Sequence, residues 1–140
     1  MPLNAYLHFD GNCREVFDFY RSVFGGEYQS FQTFGDGGSE IDVPEADRDK
    51  IMHVTLSMGD AVLMGSDVPS NFGPPRVTGT NVSLSYQTHS REETDRLFAG
   101  ISEGGSVMMA PQEMFWGAYF GACTDRFGIN WMLNCDSAQE

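Results

Sequence analysis

Two stretches of this chain carry the same plan 78 residues apart. Asn12 corresponds to Ser90, Glu15 to Glu93, Val16 to Thr94, Phe19 to Leu97, Tyr20 to Phe98 and Val23 to Ile101, all at an offset of 78. In each stretch a polar residue stands three positions before a glutamate, the spacing of a helix-starting capping box. Apolar residues then recur at helical intervals: Val16, Phe19, Tyr20, Val23 and Phe24 in the first, and Leu97, Phe98 and Ile101 after Thr94 in the second. After one inserted residue, Gly25–Gly26 and Gly104–Gly105 stop both helices. A chain that repeats itself on this scale folds as two like units.

The flanking segments extend the repeat. "NAYLHF" (4–9) reads as a strand before the first helix, and "EYQSFQTF" (27–34) as one after it. "IMHVTLSM" (51–58) and "AVLMGS" (61–66) surround Gly59–Asp60, a pairing that suits a type II′ hairpin turn. Residues 35–50 are rich in Gly, Asp and Glu and read as a mobile acidic loop. In the second half, strands are expected at 79–88, 106–110, 116–124 and 130–135, with "DRFG" (125–128) as a turn. The fold class is α+β: two tandem βαβββ modules forming a cupped mixed sheet within one domain at 1–140. Module 1 spans 1–66, a Pro-rich linker 67–78, and module 2 79–140.

The net charge is −12, from 20 acidic residues against 8 Lys plus Arg. Such a chain repels phosphate backbones, which argues against nucleic-acid partners and anionic membrane surfaces. No apolar run approaches the roughly 20 residues a membrane helix needs. "MPLNAYLHFDG" lacks the basic and apolar regions of a signal peptide, so a cytoplasmic protein is expected. Cys13, Cys123 and Cys135 form no CxxC pair and read as buried thiols.

"YLHFDGNCREVFDFYRSVFGGE", "IMHVTLSMGDAVLMGSD" and "QEMFWGAYFGACTDRFGINWML" together resemble the PhnB-like branch of the vicinal oxygen chelate superfamily, which also holds glyoxalase I, bleomycin- and fosfomycin-resistance proteins and extradiol dioxygenases. The resemblance implies paired modules curled around a small-molecule cavity, and a homodimer. It also implies a divalent metal held by His and Glu side chains, one from each of four strands. Carried over by register, those positions fall on Ala5 and near Met64, Asn81 and Met132. Thioethers, an amide and a methyl group cannot replace imidazole and carboxylate around a hard dication. The expected cofactor is therefore none, the usual metal site being dismantled. Some members of this branch are called demethylubiquinone methyltransferases, but nothing here resembles a nucleotide-binding glycine loop opening a helix. "FGDGGSE" (34–40) lacks the lysine and following helix of a phosphate loop.

The candidate ligand-binding residues are His8, His53, Met64, Gln112, Phe115, Trp116, Phe120 and Trp131. Histidine exchanges protons near neutral pH, so His8 and His53 are the sharpest polar candidates. Simple register places Ala5, Leu7 and Phe9 on the cup face and Tyr6 and His8 against the helix, unless a bulge at "FDG" reverses them. The aromatics and methionines suit a ligand wall and a core equally. His89, beside the second capping box, reads as exposed. The leading function is binding of a small organic ligand in an aromatic-lined cavity without the usual metal. The alternatives are a metal-dependent lyase, isomerase or dioxygenase with a displaced site on His8 or His53, and a non-catalytic structural subunit.

Overall fold

The computed structural model describes residues 3–36 and 43–136. It divides into two compact units, Met1–Val77 and Thr78–Glu140. Unit 1 runs β1 (Ala5–Phe9), α1 (Cys13–Phe24), β2 (Glu27–Thr33), β3 (Ile51–Met58) and β4 (Ala61–Asp67). Unit 2 runs β5 (Leu84–Gln87), α2 (Arg91–Ser102), β6 (Ser106–Glu113), β7 (Tyr119–Thr124) and β8 (Asn130–Cys135). Both sheets have four strands in the same order, β1-β4-β3-β2 and β5-β8-β7-β6. In each, the first strand pairs parallel with the last and the other pairs are antiparallel. The two helices have the same length and the same offset of 78, so the repeat is one of topology as well as sequence.

The two helices start by different means. Ser90 caps α2 as expected, its side chain accepting from Glu93 N at 3.0 Å, while the Glu93 carboxylate reaches one residue beyond the cap and accepts from His89 N at 2.8 Å. Asn12 makes no side-chain cap. Its place is taken by Asp67, from the far end of β4, whose Oδ1 accepts from Gly11 N at 2.8 Å and Cys13 N at 3.0 Å. Oδ2 accepts from Ile51 N, the first residue of β3, at 2.9 Å. A capping residue next to the helix would satisfy one such donor; this carboxylate satisfies three, from the loop before α1, its first turn and the start of β3.

The glycine pairs both end the helix and admit a neighbouring strand. Gly25 has φ of 77° and donates its N–H to Arg21 O. A Cβ on Gly26 would lie 2.0 Å from Ser57 O, and one on Gly105 would lie 2.1 Å from Thr124 O. The second glycine of each pair therefore lets the strand leaving the helix cross close to the backbone beyond it. Gly59 has φ of 64° while, among the described residues, no non-glycine residue has positive φ, as a type II′ hairpin turn requires of Asp60.

Each helix covers one face of its own sheet. In α1 the buried residues are Cys13, Val16, Phe17 and Tyr20. The face is thus rotated from the one expected: Phe17 takes a core place and Phe19 is only half-buried. In α2 it is Thr94, Leu97, Phe98 and Ile101, as expected. Other boundaries move too. β5 covers only Leu84–Gln87, and residues 114–117 form a turn closed by Met114 N to Ala118 O at 2.8 Å, so the segment expected as strand from 116 begins at Tyr119. Of the expected loop at 35–50, residues 37–42 lie outside the described residues, while Glu45–Asp47 form a 3-10 turn in which Asp47 is buried.

The capping roles predict opposite outcomes for two side chains. Asn12→Ala should leave stability within about 0.5 kcal/mol of wild type, because no cap bond is lost. Asp67→Ala should lose about 3 kcal/mol or more, since it strands buried backbone donors. Urea unfolding followed by circular dichroism measures both.

Candidate functional site

The face of the first sheet away from α1 collects the polar candidates. A Cβ on Gly65 would meet Phe17 of α1 at 2.6 Å, so Gly65 faces the helix. Leu7 pairs with Gly65 and Ala5 with Leu63, and these share that covered face with Phe9. Tyr6, His8 and Met64 therefore point the other way. This reverses the expected parity, in which Tyr6 and His8 faced the helix. Ala5 and Met64, the two metal positions carried over for this unit, consequently lie on opposite faces. The residue paired beside Met64 on the open face is Tyr6.

His53 and Thr55 join this group from β3. Met52 is a bulge between the Gln32–His53 and Thr33–Ile51 pairs, and it lets Ile51 and Val54 both stay buried. Tyr6 Oη lies 3.2 Å from His53 Nδ1, and His53 Nε2 lies 2.7 Å from Thr55 Oγ1. The Tyr6 ring sits between the two imidazoles, with centroids 5.0 Å from His8 and 5.7 Å from His53. Thr55 pairs with Met64 on the far side. His8, His53 and Met64 are thus brought together, along with Tyr6 and Thr55, which sequence reasoning missed. Gly65 was the available signal: a glycine between larger strand residues marks the face a helix approaches.

The face of the second sheet away from α2 has a different character. Gly121 would meet Phe98 of α2, so its neighbours Phe120 and Ala122 point away from the helix. Gln112 pairs with Phe120, and the Trp116 ring packs edgewise on Phe120 with centroids 6.2 Å apart. Met132, paired with Ala122, shares this face, as does Asn134, paired with Phe120, whose Nδ2 donates to Gln87 Oε1 at 3.2 Å. Gln112, Trp116 and Phe120 therefore come together. Phe115 does not line this face; it is 96% exposed at the tip of the β6–β7 hairpin, packed edgewise on Trp116. Trp131 lies on the covered side, buried, with its indole N–H donating to Asp125 Oδ2 at 2.9 Å. His89 is exposed, 3.4 Å from Glu93.

In neither unit do the residues at the inherited metal positions suit a divalent ion. Ala5 has no donor and Met64 offers a thioether beside a phenol. Met132 offers a thioether beside Ala122 and Ser85, and Asn81 precedes β5. Among the described residues no group of three or more His, Cys, Asp or Glu is placed to hold a metal. The cysteines are buried, and burial raises Cys13 well above the ordinary thiol range, with the Asp67 charge adding to it. Burial, then Asp125, raises Cys123 to about 11. Neither thiol is primed as a nucleophile.

Unit 1 also holds a cleft of about 290 Å³ bordered by Asp10, Lys50, Val68, Pro69, Ser70 and the 73–75 segment. Beneath it, Asp47 pairs with Lys50 Nζ at 2.6 Å and accepts from Ser70 N and Oγ at 3.0 and 2.8 Å. These bonds tether the Pro-rich segment after β4 to the start of β3.

A sheet with one helix-covered face and one open face, built twice in the same strand order, defines the paired βαβββ class of the glyoxalase/bleomycin-resistance fold. The chain belongs to the PhnB-like branch of that superfamily: the family model described as "3-demethylubiquinone-9 3-methyltransferase" matches residues 2–134. It is similar to the crystal structure of protein PA1353 from Pseudomonas aeruginosa, at 40% identity and TM-score 0.84, over 97% of this chain and 98% of that one. A putative 3-demethylubiquinone-9 3-methyltransferase, PhnB protein, from Bacillus cereus shares the fold at 21% identity and TM-score 0.75, over 96% and 99%. Protein YjdN of Escherichia coli K12 is 29% identical, over 96% of this chain and 95% of its own. No helix among the described residues is long and apolar enough to cross a membrane.

The Asp47 pairing sets a pH signature. The Lys50 ammonium, then the Ser70 donors, lower Asp47 to about 2. A carboxylate held below its unfolded value of about 3.9 stabilises the fold fully above that value and loses the effect as pH falls through its folded pKa. Asp47→Asn should therefore be less stable than wild type at neutral pH. The gap should close between about pH 4 and pH 2, as read by acid-titrated thermal unfolding.

Proposed function

We propose that the open sheet faces bind a small organic ligand, without a metal at the superfamily's usual positions. The observation that carries this reading is the hydrogen-bonded line from Tyr6 through His53 to Thr55, set on a strand face beside His8 and Met64. Ligand sites are mostly apolar with a few placed polar groups, and this face has that make-up. Gln112, Trp116 and Phe120 supply an amide and aromatic surface of the same kind in unit 2. Thioethers and aromatic rings adapt to an apolar or planar body. The net charge of −12 favours a neutral or cationic ligand over an anionic one. The protein is proposed to work as a cytoplasmic homodimer.

Native mass spectrometry of protein purified without chelator tests the reading. A dimer carrying an organic adduct, with no stoichiometric metal, is the expected outcome. A thermal-shift panel extends the test: a ligand at 100 times its Kd stabilises by about 2.7 kcal/mol, and His53→Ala should reduce that shift. Stoichiometric Zn, Ni, Mn or Fe, lost when His8 and His53 become alanine, would overturn the proposal in favour of a displaced metal site. Stabilisation by S-adenosylmethionine would instead favour the methyl transfer that the family's name describes.

A further inference from the structure

We propose that Tyr6 Oη is the polar contact of the bound ligand, and that the tautomer of His53 sets whether it donates or accepts. This rests on the reading that the open face of the first sheet binds an organic ligand. Tyr6 is the outer end of the line: it is 38% exposed, whereas His53 and Thr55 are half-buried. Both nitrogens of His53 are engaged, Nδ1 with Tyr6 Oη at 3.2 Å and Nε2 with Thr55 Oγ1 at 2.7 Å. A neutral imidazole carries one N–H donor and one acceptor nitrogen, and each hydroxyl can do both. The line therefore has two consistent directions.

In one direction the Thr55 hydroxyl donates to Nε2, Nδ1–H donates to Tyr6 Oη, and the phenol O–H donates to a ligand acceptor. In the other, a ligand donor is accepted by Tyr6 Oη, the phenol O–H donates to Nδ1, and Nε2–H donates to Thr55 Oγ1. Moving between them transfers one proton from one ring nitrogen to the other and turns two hydroxyls, with no change in net charge. Tyr6 is flanked by the His8 ring at 5.0 Å and paired with Met64, so the ligand atom bonded to Oη belongs to a flat or apolar body lying on these side chains. The ligand class is a planar aromatic or conjugated molecule with one neutral polar substituent, a carbonyl or an amine. Thr55 and His53 act as positioning residues and Tyr6 makes the contact.

Three monosubstituted benzenes separate the possibilities: toluene, acetophenone and aniline. Binding is read from the Met64 methyl resonance, and the His53 tautomer from its ring nitrogen shifts. Acetophenone and aniline should each bind about five- to tenfold tighter than toluene, the contribution of one neutral hydrogen bond. They should move the His53 nitrogens in opposite senses. Tyr6→Phe should reduce both to the toluene level, while Thr55→Val should cut the advantage of aniline and acetophenone without changing toluene. Equal binding of all three probes, or an advantage that survives Tyr6→Phe, would overturn the assignment to Tyr6 and leave the open face as a ligand site. Failure of every probe to shift Met64 would overturn the ligand-binding reading along with it.

Discussion

Asp67 is 2% exposed at the end of β4, and its carboxylate holds the backbone N–H groups of Gly11, Cys13 and Ile51. Those donors belong to the loop before α1, the first turn of α1 and the start of β3. A buried carboxylate with unmet oxygens is costly, so the three bonds form together or the local fold is lost. The same contact fixes orientation. Because Asp67 turns toward α1, strand alternation sends Gly65 and Leu63 the same way and Met64 to the open side. Pairing with β1 then places Phe9, Leu7 and Ala5 under the helix, and Tyr6 and His8 outside it. A single acid at the end of one strand thereby decides which residues of another are available to a ligand.

Unit 2 reaches the same topology with different chemistry. Its helix starts with a local serine cap, and Thr88 Oγ1 meets Thr94 Oγ1 at 2.6 Å where the strand hands over to α2. Its buried acid, Asp125, works at another place. Oδ1 accepts from Phe127 N and Ile129 N, closing the β7–β8 turn, and Oδ2 accepts the Trp131 indole N–H. In one unit the acid joins elements distant in sequence; in the other it orders a turn and anchors an aromatic to the covered face. The repeat preserves where strands go, while the polar fastenings differ.

That difference explains what the sequence made legible. The two helices, their glycine stops, the Gly59 turn and the "DRFG" turn depend on residues close together in the chain, and short-range chemistry reveals them. The cap on α1 depends on a residue 54 positions from the N–H of Cys13, beyond the reach of a capping pattern. Strand parity in "AYLHF" was ambiguous for a physical reason: both faces carry large carbon skeletons, so alternation does not say which is covered. Carrying a metal position onto Ala5 then favoured the wrong face. Trp116 reads as the first residue of a strand because aromatics favour strands, and Phe115 before it as part of a ligand wall. Gly117, with φ of 93°, turns the chain there and leaves Phe115 at the hairpin tip. Trp131 was legible as a large apolar residue, but its partner Asp125 sends it under the helix.

The open face of the first sheet also bears on how far the superfamily's metal chemistry carries over. A displaced metal on His53 would need one ring nitrogen as a ligand, and both are already engaged with Tyr6 and Thr55. Coordination through Nδ1 would displace the phenol; coordination through Nε2 would displace the threonine. The other donors on that face are the His8 imidazole, the Tyr6 phenol and the Met64 thioether; the phenol and thioether are poor partners for a hard dication, which leaves His8 as the one further imidazole. For a neutral ligand the same arrangement is an advantage. No ion must be desolvated, and the two hydrogen-bond directions let one phenol meet either a donor or an acceptor. Where a metal-binding relative polarises oxygens by charge, the proposed recognition on this face uses a single polar atom and a reversible line of hydrogen bonds through Tyr6, His53 and Thr55.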